Sequence, residues 1–465
     1  MPIDAKTTLA EIDPAFAWQK WSPADQEPWD EQRVRLLYRR GAFGAGPKEI
    51  ARGLKEGPEQ CIATLLGEES QSTELARQVE VFEKESGAIA AAVRAGGDID
   101  RLAAWWLHRM LHSPQPTLEK MTLFWHGHFA TGADKVVDSE LMYEQNRWLR
   151  QHALGDFRAM VHGISKDAAM LLYLDSATNR KAHPNENYAR ELMELFCLGE
   201  GNYTEKDVQE LARCFTGWEI RRKLFRFNEY QHDEGVKTLL GRSEIESGES
   251  AIDVVLAQEA MPYFVVGKLV KFFVMDEPQA SRQFLEPLVK TFIASDYSIR
   301  HVVHQILLSN LMLSLWSVGR KVRSPVEYAL EIVRSMEATA NLDRLAKMLR
   351  PLGQALFYPP NVKGWDGGRA WINSSTLIGR SNFVVDLLGD TNTRFAGGSL
   401  ENWIRAQGID SKEAWMEWLT KSLVAVPIPD IERDALQKGM AGRTNANGWT
   451  APLISLSQNP RIHLS

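Results

Sequence analysis

Cysteine is scarce in this chain. Three residues in 465, Cys61, Cys197 and Cys214, cannot form a disulfide framework, and none stands in a Cys-x-x-Cys pair of the kind structural zinc sites use. Cys197 and Cys214 fall in apolar stretches, where a free thiol packs as a small core residue. Positive charge is also short. Lys and Arg number 54 against 60 Asp and Glu, a net charge of -6, which argues against a general nucleic-acid binder. The one basic run, Arg221, Arg222, Lys223 and Arg226, reads as a solvated face. Long apolar runs are missing. Residues 263–275 and 302–318 come nearest, but the first carries Lys268 and Lys271, and the second His304, Gln305 and Asn310. Both fall short of the ~20 apolar residues a bilayer demands, so they read as buried helices and not as transmembrane segments. The N-terminus has no basic segment followed by an apolar run, which points to a cytoplasmic location. The glycines at 41, 44 and 46 lack a following Gly-Lys-Ser/Thr, so they do not make a phosphate loop.

What the chain does have is helical periodicity. Its length allows two or three cores. Helical patterns cover 33–40, 69–94, 98–111, 139–153, 156–174, 186–198, 204–216 and most of 251–354. Ser113-Pro-Gln-Pro116 breaks the pattern, and Thr117 is placed to cap the helix after it. Residues 223–227 alternate weakly and could pair as a short strand, and the polar stretch to Ser250 reads as loop. The expected fold is mainly α: a large multi-helix protein with at most a short strand pair. Residues 1–397 form the main helical domain, and 398–465 a smaller helical part packed on it.

Four segments carry chemistry. In His183-Pro-Asn-Glu-Asn-Tyr-Ala-Arg-Glu-Leu, Asn185 is placed to cap a helix. Glu186, Arg190 and Glu194 then lie four apart on one stripe, either a solvated ladder of ion pairs or a buried carboxylate pair bridged by a guanidinium. Thr204 and Asp207 form a capping box for the next helix, whose polar side carries Glu210 and Arg213. A short loop joins the two helices, so they should pack antiparallel through Leu192, Leu195, Val208 and Leu211. In Phe124-Trp-His-Gly-His-Phe129, a helix points His126 and His128 about 200° apart, which disfavours a two-histidine metal pair. His232-Asp233 in a loop suits proton transfer, metal binding or an Asx turn. The proline–glycine loop holds Asn361, Trp365, Asp366, Trp371 and Asn373. Its tryptophans suit either stacking on a ligand or the core of a helical protein with 15 Trp.

Taken in order, these motifs resemble the bacterial family called domain of unknown function 1800. The likeness rests on Leu36-Leu-Tyr-Arg-Arg-Gly-Ala-Phe-Gly44, Phe124-Trp-His-Gly-His-Phe129, the His183 string, Tyr203-Thr-Glu-Lys-Asp-Val208 and Phe215-Thr-Gly-Trp218. It continues through His232-Asp-x-Gly-x-Lys237, Arg323-Ser-Pro-Val-Glu327 and Pro359-Pro-Asn-Val-Lys-Gly-Trp365. Two places depart from the pattern: Asp366 stands where a proline is expected, and Gly127 loosens the aromatic–histidine motif. The resemblance brings no activity with it. It implies an association with a sulfatase- or alkaline-phosphatase-like partner, and with it export in that partner's company. It also implies that the motifs around Trp125, Asn185, His232 and Trp365 are pieces of one site.

Two functions follow as expectations. One is a hydrolase or transferase using acid–base chemistry. Glu186 or Glu191 would be the base, His126 or His232 the acid, and Arg190 the holder of an anionic group. Asn185, Asn187, Asn361 and Trp365 would contact the ligand. A divalent metal on Glu186, His232 and Asp233 is a variant of this reading. The alternative is a non-catalytic accessory or binding protein, in which the same polar groups are structural.

Overall fold

Caps and prolines begin the helices. In the computed structural model, which describes residues 3–24, 27–68, 73–441 and 448–465, Asp30 accepts from the Arg33 amide at 3.0 Å and starts α1 (Glu31–Gly41). Then come α2 (Ile99–His112), α3 (Pro116–His128) and α4 (Ser139–His152). Pro116 takes the first position of α3, so that helix starts one residue before the expected Thr117 cap, and Thr117 is buried inside it. Residues 69–72, at the start of the expected second helical stretch, and Met1 and Pro2 lie outside the described residues.

The His183 string leads into α5 (Asn187–Glu191), which runs without a break into a π-helical turn, Leu192–Cys197. Asn185 precedes the helix and bonds the Asn187 amide at 2.9 Å, so it caps by an Asx contact two residues ahead. The next helix, α6 (Glu205–Cys214), carries the expected capping box of Thr204 and Asp207. α5 and α6 pack against each other, and Leu192, Val208 and Leu211 are fully buried, with Leu195 partly buried, in one hydrophobic cluster.

Beyond it, β1 (Trp218–Arg221) and β2 (Leu224–Phe227) pair antiparallel, with Trp218 opposite Phe227. A second pair, β3 (Thr238–Leu239) with β4 (Arg242–Ser243), forms in the stretch expected to be loop. The chain is 62% helical, so the mainly α expectation holds. Four later helices matter below: α7 (Ala260–Phe273), α8 (Pro325–Ser335), α9 (Lys412–Leu423) and α10 (Ala451–Ser457).

Two hydrophobic clusters fill the interior. The first gathers residues from the N-terminal segment, the α5–α6 hairpin and α7. The second joins α2 and α8 to the C-terminal helices, with Trp106, Phe357, Trp403, Trp415, Leu453 and Ile462 in one continuous group. Buried polar bonds reinforce that join: Arg323 donates to the Leu423 carbonyl at 2.6 Å, and Arg40 to the carbonyl of Ser465 at 2.6 Å. Between α2, α3 and α4 sits Glu119, fully buried and bonded by Arg109 and Arg150, each at 2.8 Å, and by the Trp106 indole at 3.1 Å. Burial pushes the Glu119 carboxyl up, but Arg150 and Arg109 outweigh it and hold the group below the ordinary range. No helix among the described residues is long and apolar enough to cross a membrane.

Candidate functional site

The residues marked out by the sequence fall into three places. Glu186 and Arg190 lie on the surface of α5. Arg190 bonds Glu186 at 3.3 Å and Glu205 of α6 at 2.7 Å, and all three remain partly or largely exposed. The solvated reading thus holds for Glu186 and Arg190 and extends to α6, but Glu194 leaves the ladder and accepts from the Tyr203 hydroxyl at 2.6 Å. Asn187 is exposed. Asn185 is tied to the Asn179 side chain and the Asp175 carbonyl, both local turn contacts.

His232 and Asp233 lie elsewhere. The His232 Nδ1 donates to the Thr216 carbonyl at 2.8 Å. Asp233 pairs with Arg213 at 2.7 Å, and Arg213 with Glu210 at 3.0 Å. No hydrogen bond or ion pair joins this group to Glu186 and Arg190 among the described residues. No group of three His, Cys, Asp or Glu side chains there is placed to hold a metal ion, so Glu186, His232 and Asp233 do not form a metal centre. Arg213 already occupies the carboxylate that a cation would need.

His126 is sealed in the core. Its Nε2 accepts the Phe357 amide at 3.2 Å, and its ring packs edge-on against Trp106. Burial alone pulls its pKa down to about 3, so it is neutral near pH 7 and poorly suited to donate a proton.

His128 faces the other way from the same helix. Its Nε2 meets the Phe196 carbonyl at 2.9 Å, which only accepts, so Nε2 carries the proton and Nδ1 is bare. Lys268 of α7 donates to that bare Nδ1 at 3.1 Å and to the Leu195 carbonyl at 2.8 Å. Both carbonyls belong to the π-helical turn. The last carbonyls of any helix lack internal partners, and here a histidine and a lysine supply them. Burial, with repulsion from Lys271, pulls the Lys268 ammonium down to about 7.

Lys268 and His128 line a cavity of about 290 Å³. Its other walls come from three of the motifs. Phe124 and Gly127 belong to the first, Ser324 and Glu327 to the second, and Lys363 and Trp365 to the third. Gly364 lets the first and third motifs touch: a Cβ there would meet the Gly127 carbonyl oxygen at 2.0 Å, whereas one on Gly127 would make ordinary contact with the Trp365 ring at 3.4 Å. Asn361 shapes the loop by accepting the Lys363 amide at 2.9 Å. The Trp365 indole N–H is buried without a hydrogen-bond partner among the described residues.

The charges in this cleft divide into paired and unpaired. Lys321 bonds Asp276 at 2.7 Å, and Lys120 bonds Glu327 from behind the wall. Burial would raise the Glu327 carboxyl, but Lys120 and Lys321 outweigh it and hold it at about 2. Lys268, Lys271 and Lys363 form no ion pair with any described carboxylate. These three, with Asp276, also line a wider adjoining recess of about 800 Å³, which Glu194 borders. Glu191 stands near that border. Burial and the neighbouring Glu194 push its carboxyl up, while Arg190 and Lys363 pull the other way.

Sequence reasoning missed Lys268, Lys271 and His128 as site residues. For Lys268 the signal was present: a lysine interrupting one of the chain's most apolar helices marks a polar group drawn toward the interior, while Lys271 stays exposed.

Comparison with curated proteins and with solved structures gives no match. A family profile described as "Protein of unknown function (DUF1800)" matches residues 36–457, which include every wall of the cleft. With the match running over nearly the whole chain, this protein belongs to the DUF1800 family.

Proposed function

We propose that the cleft binds a small organic anion and that Lys268, oriented by His128, performs acid–base chemistry on it. One observation carries the reading: Lys268, Lys271 and Lys363 face one concave, partly apolar site without carboxylate partners, while the two neighbouring lysines are neutralised. Unpaired cations beside Trp365 and Trp371 supply charge and a flat apolar surface together, the combination that fixes an anionic ligand in one orientation. An amine whose pKa lies near neutrality can both give and take a proton at pH 7. The hydrolase- or transferase-type chemistry expected from the sequence is thus better supported on Lys268 and His128 than on Glu186, Glu191, His126 or His232.

The test is calorimetric titration of the full chain with small carboxylates and inorganic phosphate, at low and high salt. The double variant Lys271→Gln, Lys363→Gln should bind at least about tenfold more weakly, a loss of ~1.4 kcal/mol. Equal affinity in the variant, or no binding of any of these anions to the wild type, would retire the reading in favour of the accessory-protein alternative.

A further inference from the structure

The amine of Lys268 has an unusual set of neighbours. It contacts two neutral acceptors, the Leu195 carbonyl and the His128 Nδ1, and no carboxylate. Lys271 repels a charge there. The Cys197 thiol, which burial pushes far up, stays neutral. Beside these two acceptors, the π-face of Phe264, 4.5 Å away, favours the ammonium, and an aromatic face is a weaker partner than a carboxylate. A neutral amine has two N–H bonds. The Leu195 carbonyl and the His128 Nδ1 suffice to take both, so the lone pair of the neutral amine has no donor among these contacts, and Lys268 itself lines the cavity.

Resting on the anion-binding reading above, we propose that Lys268 is a nucleophile that captures a 2-oxo acid as an imine, with the substrate carboxylate held by Lys271 and Lys363. The class of substrate follows from the arrangement. A lone pair open to the cavity attacks an electrophilic carbon, and a ketone carbonyl is the electrophile that a single amine converts without a leaving group other than water. The unpaired ammonium groups on the same walls place a carboxylate beside that carbonyl. The step balances. The lone pair forms the N–C bond, the carbonyl π pair moves to oxygen, and a proton from nitrogen follows it to give a carbinolamine. The hydroxyl then departs with the second N–H proton as one water, and C=N replaces C=O. No oxidant or reductant takes part. The role of His128 is positional: its bare Nδ1 holds one N–H and so aims the lone pair.

The experiment uses the full chain with pyruvate as probe, at pH 7, with sodium cyanoborohydride to reduce any imine to a stable secondary amine. Peptide mass analysis then locates the adduct, and a thermal melt with pyruvate alone reports binding. The expected adduct sits on Lys268, and exceeds that on the exposed Lys290 by more than ~10-fold, because far more of a depressed amine is unprotonated at neutral pH. Trapping at Lys268 should rise through about pH 7 and then level, while that at Lys290 keeps rising. Acetone, which has the carbonyl but no carboxylate, should trap at least ~10-fold less, since it lacks the anchoring charge. Because the wild-type chain is read residue by residue, the result does not depend on a variant folding. A melt shifted by pyruvate without an adduct at Lys268, or with adducts spread over exposed lysines, overturns the imine and leaves the anion cleft standing. No shift and no Lys268 adduct overturns both.

Discussion

A side-chain carbon on Gly364 would stand 2.0 Å from the carbonyl oxygen of Gly127, a residue 237 positions earlier whose own helix carries His126 and His128. Gly364 also has a φ of 77°, a left-handed backbone that costs other residues ~1–2 kcal/mol. Gly364→Ala should therefore force the Trp365 loop off α3, lowering the melting temperature and abolishing anion binding together. A variant that melts and binds as the wild type does would show that the two segments do not need to touch.

Glu119 is a single carboxylate shared by two buried guanidiniums. Glu119→Gln removes the charge and leaves Arg109 and Arg150 under-compensated in the interior. We expect a loss of ~3–5 kcal/mol, the usual cost of breaking a buried pair from one side. Urea unfolding followed by circular dichroism measures it, and a loss below about 1 kcal/mol would mean that solvent reaches the cluster.

Leu192 is fully buried at the head of the π-helical turn, in the same hydrophobic cluster as Val208 and Leu211 of α6. Leu192→Ala should cost ~2–5 kcal/mol, as truncations at closed core positions do. A change within about 0.5 kcal/mol, the range of surface substitutions, would contradict that packing.

The buried histidines set the acid limit. In the folded chain His126 has its pKa depressed to about 3, and His463 likewise, both chiefly by burial. An unfolded chain binds a proton on each near the ordinary value of about 6.5. Below that pH the unfolded state holds more protons than the native one, so stability falls as pH drops from about 6.5 toward 3. His126→Gln should flatten part of this fall. Parallel slopes for variant and wild type in urea midpoints between pH 7 and pH 4 would show that His126 plays no part in it.

Local signals predicted local structure well. The Thr204–Asp207 capping box, the apolar faces of Leu192 and Val208, and the strand near Phe225 all depend on residues within one or two turns of each other. The site was less legible because its geometry depends on partners far away in the chain. Glu186 and Arg190 have the spacing of a bridged carboxylate pair, yet whether such a stripe faces solvent or core is decided by what packs over it, and here both side chains stay partly exposed. His232 and Asp233 looked reactive as neighbours, but Thr216 and Arg213 meet them first. Trp365 does reach the cavity, whereas Lys268 is not legible as a candidate because what singles it out, an amine with no ion pair to any described carboxylate, is a property no one-dimensional pattern records.

The pairing of Lys120 with Glu327 closes a loop of 207 residues, and that of His128 with Lys268 one of 140. Contacts so distant each close a long loop, and the entropy of that closure opposes them until other contacts have ordered the chain between. A chain arrested before residues near Glu327 dock would hold Lys120 without its counter-charge and would have only part of the cleft wall. Reactivity confined to the cleft would thus report completed tertiary assembly, and half-folded copies would be chemically silent.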